Sequence, residues 1–498
     1  MRPHSNTAIA AIFTSALYAE IITPGVHDVN TITASSQSSR LLCRRKDLEC
    51  RYPQRRGQKA ASPIDDKPNH EDVSISNPET IYHDKFQPER VQDLLNARAI
   101  RFLAPGLFRD LHLQMPRMEW DMPEEIETQL GSRQQMQETT KAFLLLTRSW
   151  MPVVNGKRHL AAVLNPLVPL RRPVALLALC MKLCCLSVDE VEEKRVLYDL
   201  VKKFYAEVES QEDSCVQVMQ SAVFIAVFEM GDAIFPAAYL TVGALARYGM
   251  AMEMDKIIQD VLGKDCAATV GASWTDIEEM RRVWWGALIL DHLLNASQPS
   301  RGLSTIDPSF EVFLPVDDEL FYNQSSSPNH ATRISEGFTF KMGSFARLCQ
   351  AMYLISKSLS FCRGAHDSSD QVPQSGPLEE VGQLCRTLES LVRVNEFEAT
   401  SRRLAFFRIS ATLREGGYDL WQHLEDGRCS LFLVELVYQG MLVLLRMGKV
   451  WLAEDVQSKK ESLDWLLSHM GKRWPLVAVY KRILEARESI LAVEDALI

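Results

Sequence analysis

No run in this 498-residue sequence is long and uncharged enough to cross a bilayer; Arg171, Arg172 and Lys182 interrupt the best candidate. Phosphate-loop, His-Glu-x-x-His and Gly-x-Ser-x-Gly signatures are missing, so the catalytic chemistries they carry have no sequence support. Stretches of strict apolar–polar alternation are few and short, which disfavours a sheet protein. A fixed-period repeat is lacking too, and with it the signature of a solenoid or propeller. The eleven cysteines are odd in number and show no arrangement as bridges. Cys180, Cys184 and Cys185 share one apolar helical run, ALLALCMKLCCL, where reduced thiols pack as small hydrophobes. Ala8–Ala19 after Arg2 has the outline of a leader, but Thr14 and Ser15 break its apolar run and no clear cleavage site follows. A reducing, soluble compartment is the expectation.

What is present is apolar mass and a charge asymmetry. An apolar fraction of 46% is ample for a large core. The net charge is −9, yet residues 40–59 carry eight Arg and Lys against Asp47 and Glu49, a local +6 that leaves −15 elsewhere. A small basic block on an acidic body suits a nucleic-acid-contacting arm. Residues 20–90 are rich in Ser, Thr, Pro and mixed charge, a composition that cannot bury enough surface to offset its ordering entropy.

From Pro88 onward, helical spacing dominates. Helices are expected over Glu89–Phe102, Met136–Trp150, Pro173–Leu186, Val188–Glu209, Ser214–Glu229 and Ala233–Met252, with Pro236 at a start or a kink. Further helical patterns cover Thr332–Phe361, Leu378–Val394, Ser401–His423 and Cys429–Asp455, with a last helix or pair after Ser458. The fold class read from this pattern is all-α, a large helical domain behind a largely disordered N-terminal segment.

The most informative stretch is Trp274–Phe321. Thr275 and Glu278 have capping-box form at a helix start, and Glu278 with Arg282 is spaced for an exposed ion pair. From Val283 to Leu294 apolar residues surround the helix, which places Trp284 and Trp285 in the core. His292 is expected as a hydrogen-bonded core histidine, and Asp317-Asp318-Glu319 as a solvated loop. RRVWWGALILDHLL followed by FLPVDDELF resembles the middle homology region of fungal zinc binuclear cluster transcription factors. The match lies at Arg281, Arg282, Trp284, Trp285, Leu290, Asp291, Leu314, Pro315, Asp317 and Asp318. His292 stands where that family has Arg, and Gly302 after Arg301 stands where it has Pro.

The resemblance extends to the basic block. Cys43-x6-Cys50 with LECRYP and RRG is similar to the end of a binuclear zinc cluster, which implies zinc at Cys43 and Cys50 and DNA contact through Arg44, Arg45, Lys46, Arg51, Arg55, Arg56 and Lys59. Two thiolates cannot fill a tetrahedral zinc shell. Arg40 stands where the family's fourth cysteine would be, and the first Cys-x2-Cys-x6-Cys is missing, together with the segment that reads base edges. The expected organisation is 1–39 disordered or wrongly translated, 40–59 a remnant cluster end and basic arm, 60–87 a linker, and 88–498 the helical regulatory domain.

The resemblance implies a nuclear, non-enzymatic transcription regulator of a metabolic or secondary-metabolite gene cluster. Its implied partners are DNA, the transcription machinery and a small-molecule effector. Residues 60–96 show no sustained heptads, so a monomer and a homodimer held by the helical body both stay open. The alternative is an all-α enzyme of the isoprenoid-synthase type built on Asp317-Asp318-Glu319. That metal box needs carboxylates a helical turn apart, where Leu320 and Phe321 stand instead.

Overall fold

The computed structural model describes residues 91–111, 120–211, 214–262, 271–298, 300–336, 342–367, several positions within 382–391, then 429–447 and 453–496. The chain divides into a unit of Met1–Ile22 with Pro88–Ile498 and a unit of Thr23–Gln87; every described residue belongs to the first. The boundaries expected near 39, 59 and 87 and the helix expected over Ser401–His423 lie outside the described residues.

Helices carry the architecture. α1 (Val91–Leu103) and α2 (Pro105–Asp110) lead to α3 (Glu124–Leu130), α4 (Arg133–Thr147), α5 (Gly156–Leu164), α6 (Arg172–Cys185), α7 (Val191–Gln211), α8 (Val216–Gly231), α9 (Ala237–Ala251) and the one-turn α10 (Met254–Ile257). Next come α11 (Trp274–Ala296), the short α12 (Asp318–Tyr322), α13 (Ser344–Asp367), α14 (Leu431–Met447), α15 (Ala453–Met470) and α16 (Leu476–Ala496). Among the described residues the only pairing of extended backbone is one antiparallel bridge, Phe313 with Arg333. The all-α expectation holds.

Local chemistry explains the boundaries. Ser132 caps α4 by accepting from Gln135 N while the Gln135 side chain accepts from Ser132 N, which satisfies two orphan amides at once. Asn155 caps α5 through Arg158 N. Pro173 sits in the first turn of α6, where a missing N–H costs nothing. Pro236 begins α9 and does not kink it. Of the pattern expected over Cys429–Asp455, α14 covers Leu431–Met447 and α15 begins at Ala453, with residues 448–452 outside the described ones; α3 and α5 were not legible because each is shorter than the window in which periodicity shows.

α8 is the axis of the core. It is buried continuously from Val218 to Gly231 and packs on α6, α9 and α11, each of them apolar over most of its surface. The one carboxylate in that run, Glu229, accepts from Tyr198 Oη at 2.7 Å and from Lys202 Nζ at 2.9 Å, both reaching in from α7. The C-terminal helices join the same core. Trp150 meets Phe432 and Trp474 edge to face, and Trp474 lies against Gly231, where a β-carbon would collide with the indole.

Candidate functional site

The basic arm itself, with Cys43, Cys50, Arg44, Arg45, Lys46, Arg51, Arg55, Arg56 and Lys59, lies outside the described residues. The other motif-bearing stretch, α11 and the chain that follows it, is described in full detail apart from Pro299.

α11 begins two residues earlier than its sequence pattern suggested. Ser273 is the cap: its hydroxyl accepts from Asp276 N at 3.3 Å, and the Asp276 carboxylate accepts from Ser273 N at 2.8 Å. The capping box expected at Thr275 and Glu278 is therefore corrected to Ser273 and Asp276. This shift frees Glu278 for the interior. Glu278, Arg281 and Arg282 are fully buried, so the exposed ion pair expected of Glu278 and Arg282 is an internal one.

Glu278 is the hub. Its Oε2 accepts from Arg281 Nη1 at 2.9 Å; its Oε1 accepts from Arg282 Nε at 3.0 Å and from Val316 N at 2.9 Å. Arg282 returns the contact to the same residue, donating to Val316 O at 2.6 Å, and reaches Asp318 Oδ1 at 2.8 Å. Its guanidinium also stacks 4.1 Å from the Phe321 ring centre. Burial works against the Arg282 charge, but Asp318 and Glu278 outweigh it and hold its pKa above the usual arginine value. For Arg281 burial wins over Glu278, and the shift is downward. Arg281 is shared with the carbonyl of Val261, 2.8 Å away.

The acidic run is not a solvated loop. Asp317 caps α12 by accepting from Glu319 N at 2.9 Å, and Asp318 ties α12 to α13 through Ser344 Oγ at 3.0 Å and Phe345 N at 3.3 Å. Gly343 is required there, because a β-carbon would stand 2.7 Å from both Asp318 N and Oδ2. Leu314, Pro315 and Val316 are buried beneath this clamp. The Leu-Pro-acidic segment thus works as a bolt from α11 through α12 to α13.

Two further ties hold the rest of α11. Trp285 is fully buried and donates from Nε1 to Phe313 O at 3.0 Å. Asp291 Oδ2 gathers Ser304 N, Thr305 N and Thr305 Oγ1 at 2.7–2.8 Å. His292 is the hydrogen-bonded core histidine expected, lying 2.7 Å from Leu288 O and 3.2 Å from Asp307 Oδ1. On the opposite side Glu279 accepts from Asn155 N, Gln220 Nε2 and Arg158 Nη1; burial raises its pKa and these donors only partly offset it. Sequence reasoning missed Glu279, Gln220 and Ser344, since nothing in their spacing marks them as partners of α11.

Each carboxylate of this cluster is engaged by protein donors, which makes it structural in character. A separate cavity of about 20 Å³, room for roughly one water, lies among Trp150, Cys184, Lys194, Asp232, Arg473 and Trp474. Its carboxylate, Asp232, is paired with Lys194 at 3.1 Å, and burial pushes the thiols of Cys184 and Cys429 up to about 12 and about 11. Those thiols are therefore protonated and poor nucleophiles. Among the described residues, no group of three or more His, Cys, Asp or Glu is placed to hold a metal ion, and no helix is long and apolar enough to cross a membrane.

Known proteins show the same α11 region in a family setting. Residues 173–395 match the fungal specific transcription factor domain, a span from α6 past α13 that contains the whole clamp. Transcription factor BOA15 from Botryotinia fuckeliana (strain B05.10) is 34% identical over 146 residues, which cover 29% of this chain and 79% of that protein. No solved structure matches. The buried Arg281–Arg282 helix, the Leu-Pro-acidic bolt it holds and these matches together mean that the chain belongs to the family of fungal transcription factors that carry this domain.

Proposed function

We propose that this protein is a nuclear regulator of a metabolic or secondary-metabolite gene cluster, with the helical body as its regulatory part and residues 40–59 as its DNA-contacting arm. The observation that supports this most is the local +6 of residues 40–59 on a chain whose body belongs to a transcription factor family. Arg44, Arg45, Lys46, Arg51, Arg55, Arg56 and Lys59 neutralise phosphates, and each contact releases counterions. Because the base-reading half of a zinc cluster is missing, binding is weak and without sequence preference. Cys43 and Cys50 hold zinc only in part, with the metal substoichiometric or shared between two chains. The transcription machinery is the partner that follows from such a role. A small-molecule effector would enter beside Trp474, where the cavity walls are mainly apolar but the present space is about one water.

The test is selection from randomised DNA duplexes with the 498-residue chain, followed by titration at several salt concentrations. The expected result is no recovered motif and an affinity of roughly 10⁻⁴–10⁻⁶ M near physiological salt that falls steeply as salt rises. A recovered motif at about 10⁻⁸ M or tighter would show that the incomplete cluster still reads bases.

A further inference from the structure

The loop that joins α5 to α6 reads NPLVPLR over residues 165–171. Its two prolines stand three residues apart, one full turn of a polyproline II helix, and Arg171 follows Pro169 by two. Proline fixes its own φ near the value of such a helix and steers the residue before it into extended backbone. Pro166 acts on Asn165 in this way, and Pro169 on Val168. The ends of the loop already have these angles, φ −66° and ψ 113° at Asn165 and φ −72° and ψ 141° at Arg171. Between them the chain turns at Pro166 and Leu167, where the Leu167 N–H donates to Asn165 Oδ1 at 3.0 Å. Straightening the loop breaks that exposed hydrogen bond and leaves both prolines in the conformation they favour.

The segment is open to solvent. Residues 165–169 and Arg171 are exposed, with Leu167 at 88% and Val168 at 52%. The body grips only its flanks: Arg133 donates to Leu164 O at 3.4 Å, and Leu170 is packed against the core. The two arginines divide. Arg172 is buried and pairs with Glu207 at 3.1 Å, while Arg171 stays outside. At three residues per turn the extended loop has three rows. Asn165, Val168 and Arg171 form the first, Pro166 and Pro169 the second, and Leu167 and Leu170 the third. The core holds the third row through Leu170, so the first two are the rows that face a partner.

We infer that residues 165–171 are a docking segment for an SH3-type domain. Such a domain offers a groove lined by aromatic side chains, which takes successive proline-bearing turns of a polyproline II helix. Asn165-Pro166 and Val168-Pro169 supply the two turns. Arg171 continues the first row beyond them and meets a carboxylate at the end of the groove, where its planar fork is bound at two points. The arginine selects this class over grooves that read proline alone. The loop contains no carboxylate of its own to repel such a partner. This goes beyond the regulatory reading and stands whether or not residues 40–59 touch DNA.

The experiment measures binding of the full chain to a panel of purified fungal SH3 and WW domains by biolayer interferometry. At least one SH3 domain is expected to bind in the micromolar range. Pro166→Ala with Pro169→Ala, and separately Arg171→Glu, should each weaken that binding about tenfold or more, the effect of losing a central contact residue. The deciding arm is Leu167→Ser. It removes an apolar side chain more exposed than Val168, but from the row turned away from the groove, so the affinity should change by less than about twofold. All these positions are exposed, and unchanged helicity by circular dichroism confirms that each variant folds. Four results would each overturn the inference: no binding by any SH3 domain, binding by the WW domains alone, a complex indifferent to Arg171→Glu, or one as sensitive to Leu167→Ser as to loss of the prolines.

Discussion

Arg282 on α11 donates to Asp318 at the start of α12 across 36 residues of chain, at 2.8 Å, while the same guanidinium holds the carbonyl of Val316 at 2.6 Å. Removing the cation strands a buried carboxylate. Arg282→Met should therefore destabilise the protein by about 3–5 kcal/mol, because breaking a buried pair leaves the partner charge uncompensated. Asp318→Asn should cost less, since Glu278 still faces the arginine. Urea unfolding of purified protein measures both; a loss below about 1 kcal/mol for Arg282→Met would mean that water replaces the guanidinium.

His159 on α5 is buried and its Nε2 has no hydrogen-bond partner. Burial lowers its pKa from 6.5 to about 4. Between those values the unfolded chain takes up a proton that the folded protein refuses, so stability falls as pH falls through that window. His159→Leu should remove this slope. Wild type should lose about 2 kcal/mol more than the variant between pH 7 and pH 5. Parallel stability curves for the two proteins would show that His159 is charged when folded.

Glu435 on α14 gives the opposite sign. It accepts from Ser297, Gln439 and Tyr480, and burial, only partly offset by these donors, raises its pKa above the usual 4.5. The folded protein then binds the proton more tightly than the unfolded chain, and stability falls as pH rises above 4.5. Glu435→Gln keeps an acceptor for Ser297 and Gln439 without the charge. Its advantage over wild type should grow from pH 4.5 to pH 7 in thermal melts. An advantage constant with pH would show that the carboxylate is ionised throughout.

The helical class, the burial of Trp284 and Trp285 and the core placement of His292 were legible because they follow from periodicity, which a sequence displays directly. The clamp was only half legible. Arg281, Arg282, Leu314, Pro315, Asp317 and Asp318 stood out as a resemblance, but Glu278 read as a surface partner because i,i+4 spacing does not report which face is covered. Burial of that face depends on Val316, Phe345 and Pro152, which come from three distant segments. The cap moved for a similar reason: Ser273–Asp276 and Thr275–Glu278 both satisfy the local pattern, and the tertiary demand for Glu278 inside decides between them.

Gly249 and Trp284 depend on each other sterically. A β-carbon on Gly249 would come within 2.6 Å of Trp284 Cζ3, 2.9 Å of its Cε3 and 2.8 Å of Met219 Cε. The methionine end can swing away, but the Trp284 indole is itself buried in the core and cannot. Gly249→Ala should therefore destabilise by about 1–3 kcal/mol through overpacking, outweighing the roughly 1 kcal/mol that alanine gains over glycine inside a helix. Trp284→Ala, a large core truncation, should cost about 3–5 kcal/mol. The two losses should not add. Removing the indole opens the space that the new methyl group needs, so the double variant should recover on the order of 1–2 kcal/mol relative to the sum. Chemical denaturation of the two single variants and the double variant completes the cycle. Losses additive within about 0.5 kcal/mol would mean that α9 shifts away from α11 to admit the methyl group, and that glycine at this position is not set by the indole.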